Sequence, residues 1–203
     1  MAKFYNSSES AAYYYYILTI ASKHTKQYFP LLYKEFIKNY PIERQALILA
    51  LARQESHFIP ASISRSFALG MMQFMPFLIK HIAKQRKEPI TYSDIFKPEV
   101  ALRFANEHLN YLNKHLSHPL FVAYAYNAGI GYTRRMLRKN LFRGEGRYEP
   151  YLSLEMIDNE QANHYGKKVL ANYVIYRMLL GSPIKITTLL QQLDKPELTD
   201  KFR

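Results

Sequence analysis

Pro41-Ile42-Glu43-Arg44-Gln45-Ala46-Leu47-Ile48-Leu49-Ala50-Leu51-Ala52-Arg53-Gln54-Glu55-Ser56 holds an apolar run with no breaker, opened by a proline and closed by a carboxylate. Proline suits the start of a helix, because its missing N–H has no intrahelical partner there. The stretch therefore predicts a buried helix that delivers Glu55 to the rim of apolar packing. A carboxylate at such a rim loses hydration and holds its proton more tightly, which is how a protein makes a general acid for neutral pH. The alternative is an ordinary solvated glutamate near a helix end. The residues around it decide between the two.

Outward from this run the pattern is helical. Ala11 to Ala21 is continuously apolar and aromatic, and Leu31-Leu32, Phe36-Ile37 and Tyr40 recur at helical spacing. Leu102, Ala105, Leu109, Leu112 and Leu116 form an amphipathic stripe. Val169, Tyr173, Tyr176 and Leu180 form another, stopped by Gly181-Ser182-Pro183. No run alternates as a half-buried strand does. The fold class read here is all-α, with loops near 56–66, 86–97 and 142–153. The segment Asn140 to Pro150, with Gly144 and Gly146, is the candidate for a mobile groove wall.

Composition sets bounds. The 203 residues are 48% apolar, enough for one or two domains with a true core. Tyr (18) and Phe (12) are abundant; they suit sugar-lined grooves as well as a helical core. Cysteine is absent, which excludes a disulfide framework and thiolate metal sites. Basic residues outnumber acidic ones 28 to 16, a net charge of +12 that attracts polyanions, whether nucleic acid, anionic lipid or a carboxylate-bearing wall. No stretch has the length of a membrane span, and Met1 to Ser8 shows no secretion signal.

Three motifs lie in order: Glu55-Ser56, then Ala68-Leu69-Gly70-Met71-Met72-Gln73-Phe74-Met75-Pro76, then Ala125-Tyr126-Asn127-Ala128-Gly129. Together they resemble the catalytic domain of the soluble lytic transglycosylases, which cleave the glycan strands of bacterial peptidoglycan. The resemblance runs from Tyr28 to Gly181, with Tyr28 to Tyr33 similar to the family's helical linker. It implies a lysozyme-like (goose-type) helical catalytic domain over 41–185, linker helices over 1–40 and a tail over 186–203. It also implies a periplasmic or cell-envelope enzyme, so the export signal and the family's superhelical domain are expected upstream and the chain reads as a fragment. Peptidoglycan glycan strands are the implied partner, cell-envelope proteins a further one. No nucleic acid is expected, since no reader motif is present.

Glycosidases commonly use two carboxylates, and nothing marks Asp94, Glu99 or Glu107 as the second. The resemblance implies one residue doing both jobs. Glu55 protonates the bond between N-acetylmuramic acid and N-acetylglucosamine, then takes the C6 hydroxyl proton as a 1,6-anhydro ring closes. The same resemblance assigns substrate contacts to Ser64, Met72, Gln73, Tyr126, Asn127, Gln161 and Tyr165. Gln73 can donate and accept, as an N-acetyl group requires, and Ser56 is read as supporting the local fold. As plain structure, Met71 and Met75 fill core, and Tyr126-Asn127 form a helix end with Asn127 capping and Gly129 permitting the turn.

Two positions depart from the family pattern. Phe67 replaces a glycine and cannot adopt positive φ cheaply, so an altered loop or a narrower groove is expected. Gln161 replaces a groove-lining glutamate, with Glu160 one place away and turned by about 100° on a helix. His108, His115 and His118 make no coherent ligand set, so neither metal nor cofactor is expected. A hydrolase with water as acceptor and a degenerate glycan-binding module remain the competing readings.

Overall fold

The computed structural model describes residues 29–139, 141–142 and 146–193. The Ala11–Ala21 run, residues 194–203 and, within the proposed groove wall, Asn140 and Gly144 lie outside these. Among the described residues the helices are α1 (Ile42–Ser56), α2 (Pro76–Arg86), α3 (Pro98–Asn113), α4 (Pro119–Ala128), α5 (Ile130–Arg138), α6 (Tyr151–Glu155), α7 (Glu160–Leu179) and α8 (Ile186–Gln192). Two 3-10 turns, Lys34–Phe36 and Tyr92–Phe96, complete the regular structure. The chain divides into two compact units, one running to His108 and the other from Leu109.

In the first unit α1 is the central element. Ala46 through Ala52 are all buried, so every side of the helix is covered. A helix apolar all round belongs inside a core, which is why this run shows no amphipathic period. Pro41 occupies the N-cap, one residue ahead of the position read from sequence. The preceding segment is fixed to it: the Gln45 amide donates to the Tyr40 and Lys38 carbonyls at 2.7 and 3.2 Å, and the Arg53 guanidinium lies 4.3 Å from the Phe29 ring centroid. The helical spacing read over Leu31–Tyr40 is realised only as the 3-10 turn Lys34–Phe36, bounded by Tyr33 at φ 58°. A left-handed residue at that boundary breaks the α-helical path.

Proline also opens α2, α3 and α4, and α3 carries the predicted stripe. Leu102, Ala105, Leu109, Leu112 and Leu116 are all buried. Arg103 grips Glu88 with both guanidinium ends, the second contact at 2.7 Å. Arg86 reaches Glu88 at 3.0 Å and Glu107 at 2.6 Å. These ion pairs tie the segment after α2 to α3 and hold the Glu88 carboxyl down at about 2. The 86–97 segment, read as loop, contains the second 3-10 turn. Its start is a capping box, with Thr91 and Asp94 each bonding the other's backbone.

In the second unit α4 packs against α7 at very short range. A Cβ on Gly166 would fall 2.1 Å from Cε1 of the buried Tyr124 ring, so only glycine lets the helices approach this closely. Nearby, Asn163 donates to the Leu154 carbonyl at 2.9 Å. Burial pushes the Tyr124 phenol well above its usual range. As read from sequence, α7 ends just before Gly181, which takes φ +80°. The predicted tail starts as helix α8; Leu189 within it and Leu193 at its C-cap are buried. His118 anchors it. Nδ1 accepts from the Leu120 N–H at 3.2 Å, leaving Nε2 to donate to the Leu189 carbonyl at 2.9 Å. Burial lowers its pKa to about 4. The ring is therefore neutral and both nitrogens are committed to backbone.

Candidate active site

The structure carries the predicted residues in two groups, one in each unit. In the first, Glu55 lies in the last turn of α1 and is half-buried. The helix stops immediately beyond it. His57 and Phe58 take φ 54° and 65°, with Phe58 N–H bonded back to the Ala52 carbonyl at 3.3 Å. Phe58 is fully buried, which fixes where the chain turns and hence where Glu55 stands.

Ser56 links this helix end to the methionine-glutamine run. Its hydroxyl donates to the Met71 carbonyl at 2.8 Å and accepts from Ile59 N–H at 3.1 Å. Met71 and Met72 are buried to 1% and 0% exposure. Met71 is core, as read from sequence. Met72 is core as well, so its thioether has no surface to offer a sugar in this state. Its contribution is the packed floor beneath the residues that follow.

Gln73 takes φ 50°, and its amide nitrogen donates to the Gly70 and Ser62 carbonyls at 2.8 and 3.4 Å. The donor end thus braces the loop, leaving the amide oxygen as the acceptor end. Gly70 must be glycine, because it has φ +73° and a Cβ there would meet the Ile95 carbonyl oxygen at 2.7 Å. Leu69 and Phe74 exchange backbone bonds at 2.9 and 3.0 Å, closing a tight turn around Gly70 to Gln73.

Ser64 also acts within its own loop. Its hydroxyl accepts from Ala68 N–H at 2.9 Å, and its backbone N–H bonds the Ala68 carbonyl at 3.0 Å. Between them Phe67 adopts φ 60° with its ring 71% exposed. Phe67 itself takes the left-handed conformation that suits a glycine. The two Ser64–Ala68 bonds hold it, and the exposed ring meets no steric obstacle.

In the second unit Tyr126 and Asn127 lie in the last turn of α4, both half-buried. Asn127 is inside the helix and does not cap it. The C-cap is Gly129 at φ +85°, which is also the N-cap of α5. One residue serves both ends because α5 starts without a spacer. Gln161 and Glu160 are both exposed in the first turn of α7, whose N-cap Asn159 accepts from Ala162 N–H at 3.0 Å. Tyr165, one turn further, is buried. The Tyr132 hydroxyl donates to Asp158 at 3.1 Å just before that helix, and Lys139 pairs with the same carboxylate at 2.6 Å.

No cluster of three or more metal-ligating side chains occurs among the described residues. None of the described helices is long and apolar enough to cross a membrane. A cavity of about 670 Å³ in the first unit is lined by residues 79, 80, 83, 84 and 87–92 but by none of the motif side chains, and sequence reading did not single it out.

Residues 34–148 match the family model described as the transglycosylase SLT domain. The chain is 32% identical over 173 residues to the soluble lytic murein transglycosylase of Escherichia coli K12, covering 80% of this chain and 26% of that protein. It is 31% identical over 172 residues to the protein of the same name from Salmonella typhimurium, with the same coverage. The crystal structure of the 70 kDa soluble lytic transglycosylase from Escherichia coli superposes with a TM-score of 0.74 at 28% identity, covering 93% of this chain and 33% of that one. The lysozyme-like helical fold is thereby established. The chain spans about a quarter of the length of the relatives it matches.

Proposed function

As the chain belongs to the transglycosylase SLT domain family, we propose that it cleaves peptidoglycan glycan strands as a lytic transglycosylase, with Glu55 as its single acid and base. The observation that carries this reading is the setting of Glu55. A helix buried on all sides ends at a half-buried carboxylate, and the next residue bonds the backbone of the Met-Gln run. A group so held keeps its geometry through a reaction cycle, which general acid–base catalysis requires.

In this reading Glu55 donates its proton to the glycosidic oxygen between N-acetylmuramic acid and N-acetylglucosamine. The C1–O bond breaks, and the muramic N-acetyl oxygen supports the positive charge at C1. The C6 hydroxyl oxygen then bonds to C1 while its proton passes to the Glu55 carboxylate. A 1,6-anhydro ring results and the acid is restored. Gln73 offers its amide oxygen to an N-acetyl N–H, and Ser64 shapes the loop beside it. Tyr126, Asn127, Gln161 and Tyr165 are the proposed sugar contacts of the second unit, with Met72 acting through packing. The place of work is the cell envelope.

The test is mass spectrometry of the fragments released from purified sacculi by the parent chain and by Glu55→Gln. Anhydromuramyl ends from the parent, reduced by roughly 10²–10⁴-fold in the variant, are expected. Reducing ends identify a hydrolase instead. Equal release by both proteins removes Glu55 from the mechanism, and release by neither favours a glycan-binding module.

A further inference from the structure

Four phenylalanine and tyrosine residues among those described hold a positive φ: Tyr33, Phe58, Phe67 and Phe142. The left-handed conformation is strained for an L-residue and persists only where something offsets it. For three of the four the offset is burial, since Tyr33, Phe58 and Phe142 are 2%, 0% and 0% exposed. Phe67 has no such offset. Its φ is 60° and its ring is 71% exposed. A glycine would take the same turn without strain and without placing an apolar ring in water. The family pattern has glycine at this position, so the ring is a feature of this chain.

The ring is carried on a braced loop. Phe67 N–H donates to the Ser64 carbonyl at 3.0 Å, beside the two bonds that join Ser64 and Ala68. At the base of the same loop the Ser62 carbonyl accepts from Gly70 N–H at 2.8 Å and from the Gln73 amide at 3.4 Å. The loop is thereby tied to Gln73. The Ser56–Met71 bond ties that same turn to the end of the Glu55 helix. An aromatic side chain on such a support has only two torsions to fix, so it loses little freedom on binding.

The groups around the ring select among ligands. Arg65 and Ser66, the two residues before it, are exposed and supply a guanidinium and a hydroxyl. A pyranose matches this combination: C–H groups make one of its faces apolar, and hydroxyl and amide groups surround its edge. A flat aromatic ring covers the face, and hydrogen-bonding side chains meet the edge.

We propose that Phe67 is a sugar-stacking platform, a specificity-determining residue that binds one pyranose unit of the glycan strand. The proposal rests on the glycan-cleaving reading above and adds to it a contact that glycine at this position cannot make. The ring takes no part in proton transfer. Its contribution is affinity, obtained at the expense of a strained backbone.

The chain contains no tryptophan, so Phe67→Trp introduces a single indole at the proposed contact. The probe is soluble, peptide-free glycan strands of alternating N-acetylglucosamine and N-acetylmuramic acid. They are added to the Glu55→Gln, Phe67→Trp double variant, so that turnover does not consume them. Indole emission should move to shorter wavelength and saturate as a sugar covers the ring. Titration calorimetry then compares Glu55→Gln with the same protein carrying Phe67→Gly, Phe67→Tyr or Phe67→Trp. Covering one face of the ring corresponds to roughly three- to tenfold in affinity, and the glycine variant should bind more weakly by that factor. The tyrosine and tryptophan variants should stay within about twofold of the phenylalanine form. Melting curves showing at least parental stability for Phe67→Gly separate loss of the ring from loss of the fold.

Unchanged emission, absence of glycan binding, or equal affinity with glycine at position 67 overturns the proposal. If the parent still releases anhydro ends, the lytic reading stands and the platform alone falls. A shifted emission in a chain that releases no anhydro ends keeps the platform and removes the lytic reading instead.

Discussion

The Ser56 hydroxyl donates to the Met71 carbonyl at 2.8 Å, joining the end of the Glu55 helix to a loop fifteen residues away in sequence. Both residues are buried. The bond thus holds the candidate acid in register with the Gly70–Gln73 turn without touching substrate itself.

Ser56→Ala removes the donor and leaves a buried carbonyl unpaired. The expected cost is about 1–3 kcal/mol, read as a lower denaturant midpoint with an unchanged m-value. Turnover on sacculi should fall along with it. Wild-type stability in this variant would show that water or another donor replaces the hydroxyl.

Phe67 holds a left-handed conformation with its ring largely in solvent. Phe67→Gly removes a side-chain penalty of about 1–2 kcal/mol, partly offset by the greater freedom of glycine in the unfolded chain. A net stabilisation of about 0.5–1 kcal/mol is expected in chemical denaturation. A loss of stability would mean that the ring packs more than its exposure indicates.

Gly166→Ala drives a methyl group into the Tyr124 ring. Overpacking of this kind costs about 1–3 kcal/mol or more. Adding Tyr124→Ala should make the pair less damaging than the sum of the single changes. Strict additivity in the double-mutant cycle would separate the two sites.

His118 provides a pH dependence with a definite sign. Its folded pKa is lowered to about 4, by burial above all, from an ordinary 6.5. Between these values the unfolded chain binds the proton and the folded chain does not. Stability is therefore highest above about pH 6.5 and declines as pH falls towards 4. The half-buried His108, also lowered to about 4, acts in the same direction. Urea midpoints measured from pH 7 to 4.5 should fall, and the His118 ring resonances should show no titration above pH 5.5. A midpoint that rises on acidification contradicts the assignment.

The sequence by itself determined the helical class, the central helix ending at Glu55, the stripe of α3 and the stop at Gly181. Those features depend on side-chain periodicity and on the backbone preferences of proline and glycine, which act over a few neighbours. The motif order also identified the family, because the residue types a reaction needs are written locally.

Only the tertiary structure decided what each side chain is free to do. Gln73 turns its donor end inward, Met72 is sealed, and Ser64 is engaged with Ala68. Residues 186–192 are a helix fastened by His118, seventy-one positions before the carbonyl it bonds. Gly166 is required by Tyr124, and the cavity of the first unit exists because α2 and the segment 87–92 stand on its two sides. Burial and hydrogen-bond partnership arise where distant segments meet, and local pattern does not encode which segments those are.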